Sequence, residues 1–275
     1  MRTADEDGPT NGTPMKDDAA PAVRLSAVHK TFGGRAGSVT ALTGIDLTVA
    51  PGEFVSLIGP SGCGKSTLMR LVADLEQPTG GTIEVFGKSA HQARLDQDYG
   101  IAFQAAGLLP WRTVRANIEL PLELHGVGRA QRRARAGELL ATVGLTDFEG
   151  HRPDQLSGGM QQRVAIARAL AESPRLLLMD EPFGALDEMT RERMQGELAG
   201  LSRTTGCAVV FVTHSIAEAV YLGDRVVVMS PRPGRISEIV PVDLGGRDER
   251  TDDTRVDPAF FAAVTAVREA LRRPA

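Results

Sequence analysis

Gly59-Pro60-Ser61-Gly62-Cys63-Gly64-Lys65-Ser66-Thr67 is the stretch on which the fold turns. It fits the spacing GxxxxGK[ST]. Its glycines let the backbone turn so that successive N–H groups point at one anion. Residues 53–58, just ahead, are apolar and β-branched and read as a buried strand. Residues 65–75, just behind, read as a helix, whose N-terminal partial charge adds to the attraction for phosphate. Lys65 is placed to reach β- and γ-phosphates, and Ser66 offers a hydroxyl to Mg²⁺. Cys63 reads in two ways, as a small loop residue or as a reactive thiol near a helix N-terminus.

Outward from this loop the chain alternates. After Pro174 the pattern is strand 176–179, helix 188–204, strand 208–212, helix 216–221 and strand 225–229, with a last strand at 235–240. That alternation predicts parallel β-α units. Before the loop, residues 23–32 and 45–49 alternate like strands, and 81–86 and 100–103 read as further strands. Residues 112–172 have few β-branched runs and much Ala, Leu, Arg and Gln, which predicts helices punctuated by glycines at 126, 128 and 144. Residues 1–21 are Asp-, Pro-, Gly- and Thr-rich and predict a disordered tail. Residues 245–257 read as charged linker and 258–272 as an amphipathic helix.

Composition narrows the function. With 275 residues, 42% hydrophobic and 24% charged, the chain is ordinary globular material. The net charge is −4, and the first 22 residues hold five acidic side chains against Arg2 and Lys16. The body is therefore nearly neutral and lacks the basic surplus that neutralises a nucleic-acid backbone, so no nucleic-acid partner is expected. No apolar run approaches the ~20 residues of a bilayer span. No secretory signal is visible, and Cys63 and Cys207 make no disulfide framework, so the chain reads as cytosolic.

Three more strings carry chemistry. Ser157-Gly158-Gly159, ahead of a helix read as 160–171, forms a second anion-binding cap. Residues 176–181 are an apolar strand ending in two carboxylates. Asp180 at that end can hold the shell of Mg²⁺, and Glu181 can face a water in line with a γ-phosphate and act as general base. Residues 209–214 end a second buried strand in His214, expected beside the first. His29, His91, His125 and His151 read as structural or surface residues.

Together these strings resemble the ATP-binding cassette family, specifically the ATPase subunit of an ABC transporter, from about residue 23 to 241. The loop 59–67 resembles its Walker A motif, 156–161 (with Ser157, Gly158, Gly159 and Gln161) its signature, and 176–181 its Walker B motif. By the same resemblance Gln104 is the Q-loop glutamine and a Mg²⁺ ligand, and Asp187 belongs to the D-loop. His214 is the switch histidine that holds the γ-phosphate. Phe32 is the aromatic that stacks on adenine, or else an ordinary core residue. The resemblance implies an α/β fold. Its ATPase domain would span 22–243, with a RecA-like P-loop NTPase lobe, an antiparallel β subdomain and an inserted helical subdomain at about 105–173. Residues 244–275 would add a charged linker and a helix. It also implies Mg-ATP as ligand and a head-to-tail homodimer in which the signature acts in trans. The further partners would be an integral membrane permease and, indirectly, an extracytoplasmic solute-binding protein. The location would be peripheral, on the cytoplasmic face of the membrane.

Leu108-Leu109-Pro110-Trp111, 180–187 and 229–236 look like the nitrate/sulfonate/taurine importer subfamily. Trp111 has two readings, filling the interface between lobes or packing against the permease. Aliphatic sulfonates are the expected substrate, with taurine, nitrate or a thiamine precursor as alternatives. The rival class is a soluble ABC ATPase of the iron–sulfur assembly type.

Overall fold

The computed structural model describes residues 20–34, 37–246 and 250–273. The tail expected at 1–21 lies almost wholly outside them. Two sheets form the frame. A six-stranded sheet has the order β10-β9-β3-β8-β7-β6, with β3 (Phe54–Ile58), β6 (Tyr99–Ala102), β7 (Leu176–Asp180), β8 (Ala208–Val212), β9 (Arg225–Met229) and β10 (Ile236–Pro241). Its pairs are parallel except β10 with β9. A four-stranded antiparallel sheet has the order β2-β1-β4-β5, with β1 (Val23–Gly34), β2 (Gly37–Val49), β4 (Gly80–Val85) and β5 (Lys88–Ser89).

The central strands read as unbroken apolar runs because both of their faces are covered. Phe54, Leu177, Met179, Val209, Phe211, Val226 and Val228 enter one core. The residues between them, Val55, Leu57, Leu176, Leu178, Val210, Val212, Val227 and Met229, enter the other. This is the two-residue period of a strand. The first face is covered by α3 (Val114–Leu124), α4 (Arg129–Thr142), α5 (Gly158–Ala169), α6 (Glu188–Thr205), α7 (Ile216–Leu222) and α8 (Pro258–Arg272). The second is covered by α1 (Lys65–Val72), α2 (Ala90–Leu95) and the antiparallel sheet.

Several boundaries differ from those expected. The first helix ends at Val72 instead of residue 75: Asp74 adopts a left-handed φ of 50°, and the Ala73 carbonyl accepts the Tyr99 hydroxyl at 2.6 Å. The helix expected at 160–171 spans 158–169, because Ser157 caps it by accepting the Met160 N–H at 3.3 Å. The second strand begins at Gly37, where glycines had masked the alternation; α2 and β5 were not expected. The described part of the charged linker from residue 250 on is tied down. Arg250 is 6% exposed and donates to the carbonyls of Tyr221 and Gly223, and a 3₁₀ turn, Asp252–Val256, follows it. Among the described residues no helix is long and apolar enough to cross a membrane.

Candidate active site

Parallel strands deliver their C-terminal ends to one edge of the sheet, where ligands of open α/β folds bind. Here that edge collects the glycine loop from β3, Asp180 and Glu181 from β7, Thr213 and His214 from β8, and Gln104 from beyond β6. Between them lies a cleft of about 600 Å³, lined by Phe32, Ser61, Gly62, Gly64, Lys65, Ser66, Thr67, Gln104, Glu181 and His214. Residues from five distant parts of the sequence therefore face one space. Val39, Ala41 and Arg232 line it as well. Sequence reasoning missed them, since nothing in a lone Val, Ala or Arg marks it as facing a cleft; only the β1–β2 pairing of Phe32 with Val39 brings that wall together.

Within the loop, Gly62 and Gly64 take φ of 75° and 105°. A Cβ on Gly64 would also stand 2.6 Å from a Leu42 methyl, so only glycine fits. Lys65 is 7% exposed, and its ammonium donates to the carbonyls of Gly59 at 2.8 Å and Pro60 at 3.2 Å. Gly59, Pro60 and Cys63 thus form the back of the loop and do not line the cleft. Cys63 is fully buried, which decides for the small loop residue over the reactive thiol.

Ser66 Oγ donates to Asp180 Oδ1 at 3.0 Å. Burial pushes the Asp180 carboxyl above its ordinary range. The Ser66 hydrogen bond pulls the other way, and the neighbouring Glu181 charge adds to the upward push. Gln104 Nε2 donates to Glu181 Oε2 at 3.2 Å, and His214 Nδ1 lies 3.4 Å from the same oxygen. A hydroxyl, a carboxylate and an amide oxygen are hard donors of the kind Mg²⁺ takes, so the residues present fit that ion. Glu181 has φ 48°, a left-handed conformation at a non-glycine residue. Its N–H still bonds Val212 O at 2.9 Å, so the chain turns sharply just as the strand ends.

Phe32 is 40% exposed at the cleft rim, with the Lys30 ammonium 4.6 Å from its ring centre. It is not a core residue. Ser157, Gly158 and Gly159 lie at the exposed start of α5 and do not line the cleft of their own chain. A Cβ on Gly159 would meet the Ala185 carbonyl at 3.1 Å, so this turn packs on residues 185–186. Gln161 Nε2 donates to Pro153 O at 2.9 Å and Leu156 O at 3.3 Å, bracing the turn from behind. Asp187 caps α6 through Thr190 N–H, which holds its carboxyl below the usual range. Trp111 is 69% exposed, so it does not fill an interface between lobes.

Comparison with known proteins adds a further finding. The ABC transporter family model matches residues 42–184. A nitrate import ATP-binding protein, NrtD, of Synechocystis is 43% identical over 91% of this chain and 95% of its own. A taurine import ATP-binding protein, TauB, of Burkholderia pseudomallei is 45% identical over 90% and 95%. A dimeric ATP-binding cassette solved in a post-hydrolysis state with ADP and Pi superposes with a TM-score of 0.74 at 37% identity, covering 80% of this chain and 99% of that one.

Proposed function

The chain belongs to the ABC transporter family, and from that premise we propose that it is the ATP-hydrolysing subunit of an importer for a small oxyanion, either an aliphatic sulfonate such as taurine, or nitrate. The observation that carries the ATPase reading is the convergence of Lys65, Ser66, Gln104, Glu181 and His214 on one cleft. The importer reading draws on the relatives named for nitrate and taurine import.

The reaction is ATP + H₂O → ADP + phosphate. Loop N–H groups and Lys65 balance the phosphate charge. Glu181 accepts a proton from the attacking water, with Gln104 and His214 fixing the orientation of its carboxylate. Ser66, Asp180 and Gln104 would hold Mg²⁺, which when bound neutralises phosphate charge. Phe32 and the Val39 and Ala41 wall offer the adenine an apolar bed. Ser157, Gly158 and Gly159 would complete the cleft of a second copy, which accounts for a phosphate cap that faces no cleft of its own chain.

The other partner in this reading is a membrane permease, with a solute-binding protein acting through it. The chain would then sit on the cytoplasmic face of the membrane. An apolar groove of about 320 Å³ between α3 and β6, lined by Tyr99, Ile101, Phe103, Leu120 and Leu124, supports a docking face there. The exposed Trp111 adds apolar surface before α3. Co-expression with a candidate permease tests the reading. The chain should move to the membrane fraction, and taurine or nitrate should stimulate its ATPase in the assembled complex. A chain that stays in the cytosol with the permease present, or stimulation by neither anion, counts against it.

A further inference from the structure

A second cavity, of about 740 Å³, opens where three parts of the chain meet: Gly144 after α4, Thr190 and Arg193 on α6, and Arg250 with Thr251 ahead of α8. Arg163 of α5 also lines it. The lining holds three guanidiniums, Arg163, Arg193 and Arg250, against one carboxylate, Glu192. Glu192 already faces Arg255 at 3.8 Å, and Arg250 is held by Asp224 at 3.9 Å and by the Tyr221 and Gly223 carbonyls, which leaves Arg163 and Arg193 as the cations of the cavity.

The cations crowd one point. A Cβ on Gly144 would stand 2.8 Å from Arg193 Nη2 and 3.6 Å from Arg163 Nη1. Gly144 has φ 63°, so this position is doubly suited to glycine, and the two guanidiniums lie directly over its backbone. Arg163 Nη1 donates to Val143 O at 2.9 Å, but its Nε is buried without a hydrogen-bond partner. Burial and, after it, the Arg193 charge work against the Arg163 cation, and the Asp187 charge offsets only part of this. Two guanidiniums this close repel each other, whereas a doubly charged oxyanion would accept from both forks at once.

We propose that this cavity is a binding site for a phosphate- or sulfate-type oxyanion, held by Arg163 and Arg193 over the Gly144 backbone. The Thr190 and Thr251 side chains share the lining and offer hydroxyl donors. Because the site joins the α4–α5 region, α6 and the C-terminal segment, occupancy ties these three parts together.

The test uses the full chain carrying Lys65→Ala, which disables the glycine loop as a competing phosphate site. Equilibrium dialysis with labelled inorganic phosphate, and separately sulfate, is run at constant ionic strength balanced by chloride. One saturable site per chain is expected, with slowed hydrogen exchange at 142–146 and 189–193. Adding Arg193→Ala or Arg193→Glu should weaken binding at least tenfold, and Arg193→Lys less. Arg193 is exposed, so these changes should leave the fold intact. Displacement of the label by ATP assigns the site to a nucleotide's phosphates; failure of ATP to displace it assigns the site to the free oxyanion. No saturable binding, or binding unchanged by Arg193→Glu, overturns the proposal.

Discussion

Glu181 sits one residue past β7 in a backbone conformation that costs a side-chain-bearing residue about 1 kcal/mol or more. The turn swings its carboxylate into the cleft, while Asp180, one position earlier, stays 4% exposed behind Ser66. Two adjacent carboxylates thus receive different environments, which fits the different work proposed for them. Glu181→Gln can keep the hydrogen bond from Gln104 but removes the carboxylate proposed as proton acceptor. ATPase turnover should fall by at least about 10²–10⁴-fold with nucleotide affinity kept, and gel filtration with ATP should show an accumulated dimer. Asp180 behaves in the opposite sense with respect to stability. Its carboxyl is pushed above the ordinary value of 3.8 in the folded chain, so the folded state binds that proton more tightly than the unfolded one. Its contribution is present below 3.8 and is lost as pH rises through the raised value. Asp180→Asn should therefore match or exceed the native melting temperature at pH 7 without Mg²⁺, yet lose activity. A lower melting temperature would refute this account.

Among the elements, α5 ties the segment containing Gln104 to the Ser157 turn. Gln162 Nε2 donates to Phe103 O at 3.0 Å, and the two Arg168 Nη groups donate to Gly107 O and Ala106 O, each at 2.8 Å. Burial lowers the pKa of Arg168, whose planar fork satisfies two carbonyls at once. Arg168→Ala should cost about 1–3 kcal/mol in urea unfolding, and Arg168→Lys should recover only part of it. The sequence made the strands of the parallel sheet legible, since β8 and β9 are unbroken apolar runs between polar ends. The loop, Asp180, Glu181 and His214 were legible because spacing along one chain already encodes them. Val39, Ala41 and Arg232 were not, because their place in the cleft depends on strand pairing and on the approach of residues 232–234 to the loop. The anchoring of Arg250 was hidden for a related reason: a charged residue in a charged stretch looks solvated until its carbonyl partners 27 and 29 positions away are known.

At the scale of the whole molecule, the Ser157 turn does not line the cleft of its own chain, and in the proposed arrangement a complete site takes two copies. A Ser157→Arg chain and a Lys65→Ala chain should each be nearly inactive alone. Mixed, they form one intact site per mixed dimer, and ATPase activity should partly return once mixed dimers are verified by pull-down. A photo-crosslinker near residue 157 that labels ATP only within its own subunit would sink this arrangement. The glycine loop itself is wedged from outside its motif. Gly64 abuts Leu42 of β2, and a Cβ on Gly234 would fall 1.9 Å from the Cys63 carbonyl. The Gly234 N–H bonds Ala41 O at 2.9 Å, joining both wedges to each other. The nucleotide loop is therefore not a portable part. A graft of residues 59–67 into a related scaffold should work only when Leu42 and Gly234 travel with it and replace the recipient's counterparts, and those two positions set the boundary for recombining such chains.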